Sequence, residues 1–179
     1  MLCCRDSMEP IEAFALYRLG KLSSDQIVSL ADAWLCEGVF TDGINELSGS
    51  TNSVMADIAP IFERTMSELN EPSLTKFDGA IVLVKMKLEG IVSNTIDPEE
   101  GASFLYWNVH HEITNEYPDK EYSGDNLGLE NVFFWLREIW DCNDGSMILY
   151  HTDLPREKAE LKFRENLIEE AENWLSKAT

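Results

Sequence analysis

The chain has 179 residues, and its 33 Asp and Glu outnumber 14 Lys and Arg, giving a formal charge of -19 at pH 7. So acidic a surface repels nucleic acid and anionic membranes and attracts basic partners. Hydrophobic residues still make up 44% of the chain, which points to a packed core beneath an acidic skin rather than to an acidic disordered tail. No apolar run approaches the roughly 18 residues that span a bilayer.

The first elements read as a helical hairpin. Pro10 marks a helix start, and Ile11, Phe14, Ala15, Leu16 and Leu19 make an apolar stripe. Gly20 is expected to end that helix in the left-handed conformation. Ser23 and Gln26 have capping-box spacing, and Leu22 can staple onto Ile27. Ile27, Leu30, Ala31, Trp34 and Leu35 then recur at three and four, and Gly38 closes the helix.

Thr41 to Thr51 is turn-rich and fits a short helix or an ordered loop. Val54 to Leu69 returns to helical spacing, with Pro60 expected to kink the helix or start a new one. Phe77 to Val92 alternates in part like a strand but exceeds ordinary strand length, so a helix is expected. Asp97-Pro98-Glu99-Glu100 is a strong helix start: Asp97 caps and Pro98 takes the first helical position. Ala102, Leu105, Tyr106, Val109 and Ile113 continue that helix.

Glu116 to Asn126 is polar and acidic, an expected exposed loop. Leu129 to Trp140 reads as a dense apolar helix, and Asn143-Asp144-Gly145 as a turn. Met147 to Tyr150 can form a short extended segment. The last helix starts near Asp153-Leu154-Pro155. Its inner face carries Leu167, Ile168, Ala171, Trp174, Leu175 and Ala178, and its outer face Glu165, Glu169 and Glu172. Tyr17 to Leu35 and Met86 to Trp107 repeat one order: helix, short turn, capping box, helix. The expected fold is all-α, a multi-helical bundle of stacked helical hairpins forming a single domain over 1–179. No low-complexity linker divides it.

The four cysteines, Cys3, Cys4, Cys36 and Cys142, lack Cys-x-x-Cys spacing and read as free thiols of a reducing cytoplasm. Cys36 and Cys142 are expected to be buried as small apolar groups. The N-terminal Met1-Leu2-Cys3-Cys4-Arg5-Asp6 has no basic-then-apolar leader pattern, and Leu2 stands where myristoylation needs glycine. A cytoplasmic location is expected.

Chemistry-bearing patterns are few. His110-His111-Glu112 tempts a metal assignment, yet a zinc hydrolase helix needs His-Glu-x-x-His, and Asn115 stands where the second His belongs. Neighbouring residues point about 100° apart on a helix, so His110 and His111 share an ion poorly. The plain expectation is that one packs and the other is solvated, with no metal and no cofactor. Asp141-Cys142-Asn143-Asp144-Gly145 resembles the start of a calcium loop, but its glycine comes one place early and Thr152 replaces the closing Glu. A helix-ending turn explains it better. There is no glycine-rich phosphate loop and no Gly-x-Ser-x-Gly elbow. Tyr106, Trp107, Phe134 and Trp135 can line a small-ligand pocket or simply pack the core.

The strongest interaction candidate is the segment from Glu116 to Asp125. Glu116, Asp119, Glu121 and Asp125 offer long-range attraction to a basic surface, and Tyr117 and Tyr122 are anchors with hydroxyl tips. Reversing the charges of Asp119 and Glu121 is expected to slow association while leaving folding nearly unchanged.

The hairpin LYRLGKLSSDQIVSLADAWL, with DPEEGASFLYWNV later, resembles small acidic helical proteins of bacteria, some of them similar to the immunity partners of toxins. That resemblance implies a protein that neutralises a basic toxin domain. The leading functional expectation is a non-enzymatic acidic binding protein with a basic protein partner, binding neither nucleic acid nor membrane. A helical small-ligand regulator or adaptor is the second. A metal-dependent hydrolase using His110 or His111 is the third.

Overall fold

The computed structural model describes residues 8–51 and 54–178. Cys3 and Cys4 lie outside them. The fold is all-α, as the periodicity requires, and no strand occurs among the described residues. The helices are α1 (Pro10–Arg18), α2 (Ser24–Cys36), α3 (Asp42–Ser48), α4 (Met55–Glu68), α5 (Lys76–Val92), α6 (Pro98–Phe104), α7 (His111–Ile113), α8 (Glu130–Asp144) and α9 (Arg156–Lys177). A π-helical turn, Leu105–His110, joins α6 to α7. No helix among the described residues is long and apolar enough to cross a membrane. The chain divides into two compact units, one ending at Val82 and the other beginning at Leu83. The boundary falls inside α5, so composition carries no mark of it.

The first unit forms by local rules that the sequence displays. Pro10 opens α1, and Gly20 follows it at φ 71°. Ser23 and Gln26 complete both halves of the capping box on α2. Gly38 closes α2 at φ 84°. Thr41 caps α3 by accepting from the Ile44 amide at 3.1 Å. The core gathers Phe14, Ile27, Ala31, Trp34, Ile44, Leu47, Ile58, Phe62 and Met66. Arg18 fixes α1 to α4 through its two terminal guanidinium nitrogens on Glu63, each at 2.8 Å. Burial and the neighbouring Glu63 carboxylate hold the Tyr17 hydroxyl above its ordinary pKa.

Two expectations are corrected here. α4 runs unbroken through Pro60, so of the two alternatives the one in which Pro60 starts a new helix is corrected. Pro60 lies in the second turn, so only one intrahelical bond is lost. Cys36 is exposed, because it ends α2 on the side away from Ile27, Ala31 and Trp34.

In the second unit, Asp97 caps α6 by accepting from the Glu99 and Glu100 amides at 3.0 and 3.1 Å. Burial raises its pKa, but the Glu100 amide and Arg164 outweigh this and hold it low. Arg164 on α9 ties three carboxylates together: Asp97 at 3.0 Å, Glu99 at 2.5 Å and Glu160 at 3.0 Å. α9 buries Ala159, Phe163, Leu167 and Ala171, a strict i, i+4 stripe. The expected inner face began too late: Ile168, Trp174 and Leu175 are only half-buried, and Ala178, beyond the helix end, is exposed. Glu165, Glu169 and Glu172 face solvent as expected. α8 extends through Asn143 and Asp144, so the expected turn begins only at Gly145, whose φ of 86° terminates the helix. That termination explains the calcium-like string. Residues 146–148 have no regular structure, and 149–150 form a bend, not a strand. Cys142 is half-buried, and burial pushes its thiol pKa up, helped by Glu160, Glu138 and Asp141 and opposed by Arg156.

Candidate functional site

The acidic loop follows α7, and its conformation starts from the π-helical turn. Such a turn admits one extra residue into the helix and is often found at functional sites. Here Val109 and His110 both point inward, and His111 is exposed. One histidine therefore packs and the other is solvated. The His110 ring lies against Phe133 at 5.4 Å and Tyr106 at 5.8 Å. Its Nε2 bonds Asp119 Oδ2 at 2.8 Å, and its Nδ1 is buried without a partner. Among the described residues, no group of three His, Cys, Asp or Glu is placed to hold a metal ion.

Asp119 is thereby more than a surface charge. Its second oxygen, Oδ1, accepts from the Gly124 amide at 3.0 Å. Gly124 is buried at φ 87°, and a Cβ built there would fall on the Phe133 ring. Asp125 organises the other side of the loop. Its carboxylate accepts from the amides of Lys120, Glu121 and Tyr122 at 2.9, 2.7 and 3.1 Å. The loop's end is tied to α9 by the Trp174 indole, which donates to the Leu127 carbonyl at 2.9 Å.

The six expected contact residues therefore divide by role. Asp119 and Asp125 face their own backbone and His110, and they set the shape of the loop. Glu116, Tyr117, Glu121 and Tyr122 are exposed, with Tyr122 at 61%. The expectation that Asp119→Lys leaves folding nearly unchanged is corrected, because the substitution would aim an ammonium at a buried imidazole. The roles were hidden because the contact that matters joins residues nine apart across a turn whose course the sequence does not state.

The amides of Lys120 and Glu121 hold the Asp125 carboxyl below its ordinary pKa. Asp78, Asp144 and Glu68 are lowered in the same way, each by a hydrogen bond to a nearby hydroxyl or amide. A carboxylate depressed by folding stabilises the native state above its unfolded pKa, and that contribution vanishes as pH falls through the folded pKa. Stability measured by urea titration should thus fall on acidification below the usual carboxylate range. Asp125→Asn should lose stability at neutral pH and show a shallower acid dependence than the parent. Identical pH profiles would remove Asp125 from the account.

The aromatic residues read as a possible pocket belong to two groups. Tyr106 and Trp107 join Trp140, with Tyr106 also edge-on to Phe133 at 5.1 Å. Phe134 and Trp135 meet Tyr150 at 5.4 and 5.6 Å, and Trp135 stacks on Phe163 at 5.9 Å. Trp107 is 54% exposed.

A buried carboxylate that sequence reasoning missed, Glu138, is 2% exposed in the middle of α8. Its Oε2 accepts from the Leu149 amide at 2.8 Å and lies 3.4 Å from that of Tyr150. Nothing in the run Phe133 to Trp140 marks this Glu as inward-facing. Compared with protein-family models, with characterised proteins and with solved structures, the chain matches none.

Proposed function

We propose that this chain is a non-enzymatic acidic binding protein that engages a basic protein partner through the loop from Glu116 to Asp125. The observation that carries the reading is the division of labour within that loop. Two carboxylates are engaged with the loop's own amides and with His110, while two others and two tyrosines face solvent. A pre-shaped loop loses less entropy on binding than a loose one. Its charge also stands in an uncompensated field. Arg18 is held by Glu63, Arg64 by Glu46 and Glu68, Arg164 by Asp97, Glu99 and Glu160, and Arg156 by backbone carbonyls. These four arginines are thus already engaged, and the surplus of 33 Asp and Glu over 14 Lys and Arg remains to steer a basic surface inward. A basic toxin domain is the partner class implied by the resemblance to immunity proteins.

The test uses an arginine-rich peptide and stopped-flow association at low salt. Glu116→Lys combined with Glu121→Lys should slow association about tenfold, the scale of steering by a small charge cluster, and leave the urea midpoint close to the parent's. An unchanged association rate would take the loop out of the binding reading. Binding insensitive to salt would remove its electrostatic basis.

A further inference from the structure

The connection between α8 and α9 shows apolar side chains where a connector ordinarily shows polar ones. Met147 is 78% exposed, Leu149 61% and Tyr150 50%. Single exposed apolar residues are common, but three within four positions are a patch.

The backbone beneath this patch is held firmly. Glu138, buried in α8, accepts from the Leu149 amide. Arg156 donates to the carbonyls of Asp141, Gly145 and Ser146 at 2.9, 3.1 and 2.6 Å. Asp144 receives the Ser146 amide at 2.8 Å. His151 closes the segment at φ 50°, a left-handed conformation that a non-glycine residue adopts at some cost. Burying a carboxylate is also costly unless it is hydrogen-bonded. The left-handed residue and the buried, hydrogen-bonded Glu138 hold a segment that buries Ile148 and shows Met147, Leu149 and Tyr150 to water.

The patch continues into the acidic loop. Tyr150 lies edge-on to Phe134 at 5.4 Å. Phe134, Phe133 and Tyr122 line a recess of about 100 Å³ together with Glu130 and Arg137. Glu130 Oε2 is buried and has no hydrogen-bond partner. One surface therefore runs from Tyr122 across Phe134 to Tyr150, Leu149 and Met147. Exposed carboxylates flank both segments along the chain: Glu116 and Glu121 in the loop with Tyr122, and Asp144, Asp153 and Glu157 on either side of 147–150.

We infer that this surface docks an amphipathic basic segment of the partner, with apolar side chains on Met147, Leu149, Tyr150 and Phe134 and cationic side chains on the flanking carboxylates. The inference rests on the proposed function and adds the apolar half of the recognition. Charge complementarity selects the occupant: a second copy of so acidic a chain would be repelled, and a purely apolar segment would leave the carboxylates unused. Met147 and the half-exposed aromatics are adaptable and large, as such grooves require. Arg137, exposed on α8, lines the recess with Tyr122 and Phe134, so the cations of the segment belong on the carboxylates and not there.

Two peptides of equal charge test this on the full chain by fluorescence anisotropy. One places Leu at i, i+3, i+4 and i+7 among Lys, in amphipathic helical order, and the other replaces every Leu by Ser. The parent should bind the Leu peptide about tenfold more tightly, the scale of burying about one large side chain. Met147→Ser with Leu149→Ser should abolish that preference and leave Ser-peptide affinity unchanged. Both side chains are exposed, so the fold should hold, as a thermal melt would check. Phe40→Ser, an exposed aromatic of the first unit, should keep the preference. A preference absent in the parent, retained in the double variant or lost equally in Phe40→Ser would overturn the inference. Ser-peptide binding without a Leu preference would overturn only the inference, whereas no binding of either peptide would overturn the acidic binding reading as well.

Discussion

Asp119→Ala should lower the unfolding free energy by about 3 kcal/mol, because it strands two donors and leaves a buried imidazole with no partner at either nitrogen. In the parent, one carboxylate serves His110 Nε2 and the Gly124 amide together. His110 is 4% exposed, so water cannot readily replace the lost acceptor. Asp119→Asn keeps the shape and one acceptor oxygen and should recover part of the loss. Urea titration followed by tryptophan fluorescence reads both variants. Parent-like stability for Asp119→Ala would mean that the pair does not organise the loop.

Gly124→Ala should cost about 2–4 kcal/mol, since it combines a left-handed backbone with overpacking against an aromatic ring. Gly145→Ala is the matched control. The two glycines have nearly equal φ, 87° and 86°, but a Cβ at 145 meets nothing within 4 Å, whereas one at 124 meets Phe133. Gly145→Ala should therefore show the conformational part alone, about 1 kcal/mol. Equal losses at the two positions would remove the Phe133 contact from the explanation. Because Phe133 also carries the His110 ring, the Gly124 substitution should disturb the loop and the π-helical turn together.

Local grammar was legible in the sequence wherever a few neighbouring residues decide the outcome. Ser23 with Gln26, Asp97 with Pro98, and Gly20, Gly38 and Gly145 mark helix ends by short-range chemistry, and each does so in the structure. α5 was ambiguous by pattern and was decided by length. What the sequence did not disclose depends on three-dimensional neighbours. The π-helical turn keeps the apolar spacing of an ordinary helix, so Leu105, Val109 and Ile113 read the same either way. Asp119 and Glu121 look equivalent in a charged string, yet only Asp119 meets a buried histidine. Cys36 was assigned to the core by its average behaviour, and the end of α2 placed it outside. Glu138 gives no sign of burial because its partners are backbone amides eleven and twelve residues away.

The acidic binding reading is tested most directly by hydrogen–deuterium exchange of the full chain, with and without an arginine-rich peptide at low salt. The expected result is new protection across 116–125 that disappears when salt is raised. No change there at low salt, or protection confined to other segments, would contradict it.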